Sequence, residues 1–263
     1  MNPVEVFEGD SPVILGLPHT GTHLPDDIRT DLNGRGRELA DTDWQIHRLY
    51  DGLLPGATTV RATFHRYVID ANRGPDNASL YPGQNTTGLV PLTDFDGEPI
   101  WTEEPTAEDI ADRTARFHAP YHAALSTQID RVRARHGVAI LYDCHSIRSH
   151  IPFLFDGILP DFNIGTAGGT TCDPRIKDAV ARIVKNSERT WVLNGRFKGG
   201  WTTRHYGRPS DGVHAIQMEL AQSTHLTAEA APFAYDPEKA APLRGTLKHI
   251  LTTLADLAAE LKE

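Results

Sequence analysis

Two histidines, a glutamate and several arginines stand where an α/β protein would present them to a ligand. His19 follows the apolar run Val13–Leu17, in Pro18-His19-Thr20-Gly21, and His145 follows Val138–Tyr142, in Asp143-Cys144-His145-Ser146. Asp70-Ala71-Asn72-Arg73 closes Tyr67–Ile69, and Glu219 comes late in Val213–Leu220. Open parallel sheets bind ligands at the carboxyl ends of their strands, so four such ends converging on this chemistry are hard to explain as packing. Histidine and carboxylate donors with one position left open are what a catalytic zinc ion uses. His19 and His145 are the first two candidate ligands for one divalent metal, zinc by that chemistry. Asp43, in Asp41-Thr42-Asp43-Trp44, is the candidate third, with Asp41 and His23 as rivals. Neither an HExxH helix nor a CxxC pair is present to settle the set by spacing.

Strand alternation puts Val213, Ala215, Gln217 and Glu219 on one face. A carboxylate so placed must be paired, solvated by a cleft or held at a raised pKa. It is therefore a structural ion pair or a general base beside a metal-activated water. Arg73, Arg148 and Arg204 stand near the same strand ends, and guanidinium forks suit carboxylates through two parallel charge-assisted bonds. Together they point to a small anionic substrate with one or two carboxylates. Cys144 beside His145 suggests a thiol nucleophile, but neighbours on a strand face opposite ways and make a poor dyad.

The elements that must position these groups alternate strand and helix, which predicts an α/β fold with a mostly parallel sheet covered on both faces. Glu38–Leu53 has helical spacing, with Leu39, Ile46, Leu49 and Leu53 on one side, and would carry Asp43 near its start. Thr59–Phe64 and Tyr67–Asp70 are rich in β-branched and aromatic residues and read as strand or hairpin. The stretch 74–105 is dense in Gly, Pro, Asn and Thr, and is either a binding loop or a solvated insertion. Thr106 and Asp109 open a long helix in capping-box fashion. Ile110, Phe117, Tyr121, Leu125, Ile129 and Val132 give it a core face, and Gly137 ends it. A shorter helix, Arg175–Val184, starts at Pro174; Trp191–Leu193 is a further strand. The last helix runs from about Pro237 to Leu261, with Leu243, Leu247, Ile250, Leu254, Leu257 and Leu261 turned inward.

The chain has 263 residues, 39% of them hydrophobic and 23% charged, enough for one large α/β domain over 1–263. A net charge of −9 argues against nucleic acid as a partner. The N-terminus lacks a basic region followed by an apolar one, and no apolar run would span a bilayer. Cytoplasmic location, two reduced buried thiols at Cys144 and Cys172, and no membrane partner are the resulting expectations. Oligomeric state is not legible.

Six stretches in series carry a family resemblance: PHTGTHLP, DTDW, IDANRGPDNASLYPGQNTTGL, LYDCHSIRS, NGRFKGGWTTRHYG and HAIQMELAQS, spanning residues 18 to 223. The chain resembles the N-formylglutamate deformylases, also called N-formylglutamate amidohydrolases, of histidine degradation. The resemblance implies a fold related to zinc carboxypeptidases (phosphorylase/hydrolase-like), with a mixed sheet of about eight strands. It implies hydrolysis of N-formyl-L-glutamate to L-glutamate and formate. It makes His19 and His145 metal ligands, Asp43 the third, Glu219 the general base, and Asn72 with Arg73 a carboxylate-binding pair. The carboxypeptidase pattern has a glutamate three residues after its first histidine; here that position is Thr22. Other readings are a metal-dependent deacylase or peptidase for another N-acyl amino acid, and a non-catalytic binder of an acidic amino-acid derivative.

Overall fold

The computed structural model describes residues 2–261, so the extreme ends of the domain expected over 1–263 lie outside the described residues. Its strands are β1 (Val4–Phe7), β2 (Val13–Leu17), β3 (Thr58–Ala62), β4 (Ala139–Ile147), β5 (Phe162–Gly165), β6 (Trp191–Leu193) and β7 (Val213–Ala221). They form a seven-stranded sheet among the described residues, in the order β1-β3-β2-β4-β7-β5-β6. β3, β2, β4 and β7 run parallel, as do β5 and β6; the β1–β3 and β5–β7 pairs are antiparallel. The mixed, mostly parallel α/β sheet is thus as expected, with seven strands where about eight were implied.

The helices are α1 (Asp26–Asp31), α2 (Ile46–Tyr50), α3 (Ala107–Arg113), α4 (Ala119–His136), α5 (Pro174–Lys185), α6 (Trp201–Tyr206) and α7 (Pro237–Leu257). Alternation along the central strands sorts them onto two faces. Tyr142 and Cys144 of β4, with Ile216, Met218 and Leu220 of β7, join a core built with α2, α5 and α7. Leu141 of β4, with Val213 and Ala215 of β7, faces Tyr121, Leu125 and Ile129 of α4 instead. The second series of side chains continues into Asp143, His145, Gln217 and Glu219. The sheet face that packs against α4 is therefore the face that carries the chemistry.

β4 and β7 pair in register over nine residues, and the register sets Asp143 against Gln217 and His145 against Glu219. Both strands are longer than the apolar runs that announced them. His145 and Glu219 lie inside the ladder, near its carboxyl end, rather than in loops beyond it. Buried backbone groups must pair, and the ladder continues because nothing else satisfies them.

The long helical segment starts as expected: Thr106 accepts from Asp109 N, and the Asp109 carboxylate accepts from Thr106 N. A π turn at Thr114–His118 separates α3 from α4, and Gly137, at φ 75°, closes the helix. The last helix stays α-helical to Leu257 and ends in a 3-10 turn at Ala258–Leu261, with Leu257 only half buried.

Two expected elements are different. No continuous helix covers Glu38–Leu53: a 3-10 turn at Gly36–Glu38 and the short α2 flank a segment bounded by Leu39 (φ 54°) and Gln45 (φ 62°). Left-handed backbone costs a non-glycine residue about 1–2 kcal/mol. Here the segment turns to bring Asp43 N within 3.0 Å of His19 O. Tyr67–Asp70 is not a strand: a turn ends at Val68, whose N bonds His65 O at 2.9 Å, and Ile69 and Asp70 follow without regular structure. Residues 74–105 have no regular helix or strand, only isolated bridges such as Thr93 with Pro99.

Candidate metal centre

His19 at the end of β2, Asp43 on the strained segment and His145 on β4 meet at the floor of a cavity. All three are buried, and one ligand atom from each lies within 4.8 Å of the others. Asp43 Oδ2 is 3.0 Å from His145 Nδ1 and 3.7 Å from His19 Nδ1. Each histidine has a further carboxylate at its other nitrogen. His19 Nε2 lies 2.7 Å from Asp70 Oδ1. Asp143 Oδ1 approaches His145 Nε2 at 3.0 Å, though off the line of a hydrogen bond. Carboxylates behind imidazoles fix ring orientation and raise ligand basicity at metal sites.

The donor set fits a single divalent ion. Burial, then the neighbouring Arg66 guanidinium, lowers the His19 pKa and leaves a neutral ring to offer a lone pair. Burial alone would also lower His145, but Asp143 and Asp43 push it well above its ordinary value. A cation between these groups is electrostatically favoured, and two imidazoles with one carboxylate are a donor set that zinc accepts. The rival ligands lie elsewhere. His23 pairs through its backbone with Phe64, and Asp41 accepts from Tyr67 Oη at 2.7 Å and Phe95 N at 2.9 Å.

Glu219 faces the cluster from β7. Burial pushes its carboxyl up to about 8, against the pull of His145 and with the push of Asp43. Gln217 donates from Nε2 to Glu219 Oε2 at 3.0 Å and accepts from Gly200 N at 2.7 Å. Asn72 comes to the site too: its Nδ2 lies 3.2 Å from His145 Nε2, and its Oδ1 accepts from Thr202 N at 2.9 Å. Gly200 is glycine because a Cβ there would collide with the Asn72 amide. Behind Asn72, His122 Nε2 meets Ala71 O at 2.8 Å and His118 Nε2 meets Arg73 O at 2.9 Å. Histidines thus hold the carbonyls on both sides of this residue.

Of the expected arginines, Arg73 lines the cavity, while Arg148 and Arg204 are not brought into its lining. Arg148 turns to Asp96, at 3.0 Å, and Arg204 donates to Gly199 O at 2.9 Å over the Tyr81 ring. Arg66 and Arg196 line the cavity instead. Neither was singled out from sequence, although Arg66 precedes the Asp70–Arg73 stretch by four residues and Arg196 lies within NGRFKGGW. Arg66 Nη2 rests against both nitrogens of His19. Phe95, Ile147, Leu154 and Phe197 supply an apolar wall. Cys144 sits on the opposite sheet face with its thiol pKa raised by burial, and both cysteines are free.

The model of the N-formylglutamate amidohydrolase family matches residues 11–226. The chain belongs to that family. It is 45% identical over 257 residues to the N-formylglutamate deformylase of Pseudomonas putida, covering 96% of each chain. It is 45% identical over 250 residues to the Pseudomonas aeruginosa deformylase, covering 94% of this chain and 93% of that one. The crystal structure of an N-formylglutamate amidohydrolase from Ralstonia eutropha superposes with a TM-score of 0.84 at 25% identity over 99% of both chains. A gene product of Agrobacterium tumefaciens shares the fold, with a TM-score of 0.73 at 20% identity over 98% and 96%. For an amidohydrolase of this family the buried His19–Asp43–His145 cluster is a metal site suited to hydrolysis. No helix among the described residues is long and apolar enough to cross a membrane.

Proposed function

We propose that this chain is a zinc-dependent deformylase that cleaves N-formyl-L-glutamate to L-glutamate and formate, closing a histidine degradation route in the cytoplasm. The observation that carries the reading is the His–Asp–His cluster beside Glu219, in a cavity that Arg73 also lines. The names of the Pseudomonas relatives support the substrate. We read the whole chain as one such domain, zinc-carboxypeptidase-like in fold, with 74–105 as its active-site loop.

His19, Asp43 and His145 would hold the ion, whose Lewis acidity polarises a carbonyl and makes water a stronger acid. The remaining work falls to the chain's own groups. Asn72 and Arg73 hold the α-carboxylate and so fix the formyl group over the cluster. Glu219 removes a proton from the attacking water and returns it to the departing amine nitrogen, and Gln217 keeps its carboxylate aimed. Arg66 places a buried positive charge beside His19, where negative charge grows on the carbonyl oxygen. The apolar wall and the 74–105 loop exclude bulk water.

Formate release from N-formyl-L-glutamate, before and after chelation and zinc add-back, tests the reading. Metal-restored release is expected; release that survives effective chelation sinks the metal mechanism. No release from zinc-loaded protein would favour another N-acyl substrate or a binding role. Glu219→Gln should lower turnover about 10²–10⁴-fold with metal content unchanged. Normal turnover in that variant removes Glu219 as the base.

A further inference from the structure

Arg73 and Arg196 both line the cavity, and among the described residues neither makes an ion pair with a protein carboxylate. Their partners are neutral oxygens. Arg73 Nε donates to Thr87 O at 2.9 Å and its Nη2 to Thr86 Oγ1 at 3.1 Å. Arg196 Nε donates to Leu154 O at 2.9 Å and its Nη2 to Asn85 O at 2.7 Å. Neutral acceptors orient a guanidinium but cancel none of its charge. Two partly buried cations on one cavity are costly until an anion joins them.

Arg196 has the more open fork. A guanidinium has five N–H donors, and only Nε and Nη2 of Arg196 are committed. Its plane is held by aromatic rings, with Cζ 5.2 Å from the Tyr81 centroid and 5.4 Å from that of Phe197. The two arginines also stand differently towards the ligand cluster. Arg73 adjoins Asn72, whose amide reaches His145, whereas Arg196 is bonded to the outer segments at Asn85 and Leu154. A carboxylate close to the scissile nitrogen therefore meets Arg73, and one farther along the substrate meets Arg196. Ile147, Leu154 and Phe197 give the methylene groups between them a dry wall.

We propose that Arg196 is the specificity-determining residue that binds the substrate's side-chain carboxylate, so that the site selects a dicarboxylic N-acyl amino acid over one with a neutral side chain. The assignment rests on the deformylase reading. Its test compares kcat/KM for N-formyl-L-glutamate, N-formyl-L-glutamine and the α-amide N-formyl-L-isoglutamine, in zinc-loaded wild type, Arg196→Gln and Arg196→Lys. Wild type should prefer the glutamate over the glutamine derivative by about 10²–10⁴-fold. Arg196→Gln should lose about 10²–10³-fold on N-formyl-L-glutamate, mostly in KM, and less than about five-fold on the glutamine derivative. Discrimination between these two then collapses, and discrimination against the α-amide survives. Arg196→Lys should recover part of the lost preference. An unchanged preference in Arg196→Gln overturns the assignment, as does collapse against the α-amide instead. A uniform fall on all three substrates in both variants overturns it too. Wild type that turns over none of them refutes the deformylase reading itself, a separate outcome.

Discussion

The molecule uses buried histidines in two neighbouring clusters, and the partner of each ring decides what it is for. His19 and His145 face carboxylates at both ring nitrogens, or a carboxylate and a guanidinium. His118 and His122 face carbonyls: Arg73 O and Ala71 O, with the Tyr206 hydroxyl on the second nitrogen of His122 at 3.0 Å. Burial pushes His122 down to about 3, while the two carboxylates push His145 well up. A ring among carboxylates can exchange its proton for a cation. A ring among carbonyls and aromatic faces stays neutral and acts as a strut. Burial alone does not separate the two, since all four rings are at most 9% exposed.

The contrast breaks most directly in the first cluster. Asp43→Ala and His145→Ala should each remove the bound metal and lower turnover by at least about 10³-fold, read by elemental analysis and formate release. Retained metal and activity would reduce the cluster to structure. Asp70→Asn and Asp143→Asn leave the donors in place but weaken their support. Metal affinity should fall by about 10–100-fold in competition with a chelator.

His122→Leu sharpens the other side. Metal content should hold, while the lost bonds to Ala71 O and Tyr206 cost about 1–3 kcal/mol in urea unfolding. KM should rise more than kcat falls, because the strut supports Asn72 and Arg73 rather than the reacting atoms. Loss of metal would erase the distinction between the clusters. The smallest effect is one of pH. The folded pKa of His122, about 3, lies below the ordinary value of 6.5, so the unfolded chain takes up the proton first. Stability from keeping the ring neutral is complete above about pH 6.5 and declines as pH falls towards 3, at up to about 1.4 kcal/mol per pH unit. Unfolding of chelated protein from pH 7 to pH 4.5 should show a shallower decline in His122→Leu than in wild type. Equal slopes would show that His122 does not carry this linkage.

What could be read in advance followed the strands. His19, His145 and Glu219 were visible because a buried strand announces itself by composition and its end is where a ligand sits. Alternation alone also assigns Gln217 and Glu219 to one face. Asp43 stands out by residue type, but the helix that apolar spacing suggests around it does not form, because the contact with His19 wins over that local preference. Arg196 escaped because the segment carrying it, between β6 and α6, has no periodicity to say where a side chain points. Arg148 and Arg204 attracted attention by proximity in sequence. The acidic partner of Arg148, Asp96, lies on a distant segment that a chain read in order does not display, and Arg204 turns back to the carbonyl of Gly199 five residues before it.

The in-register pairing of His145 with Glu219 separates what this scaffold can change from what it must keep. A ligand histidine and the glutamate beside it are spaced by a backbone ladder buried along its whole length. Arg73, Tyr81, Arg196 and the apolar wall instead lie outside the helices and, Ile147 apart, outside the strands. On the deformylase reading, exchanging those outer segments should alter which acyl amino acid is accepted, while the spacing of His145 and Glu219 stays as the ladder sets it. The fold offers a fixed reaction frame with a replaceable reader, and new selectivity can be sought in the reader alone.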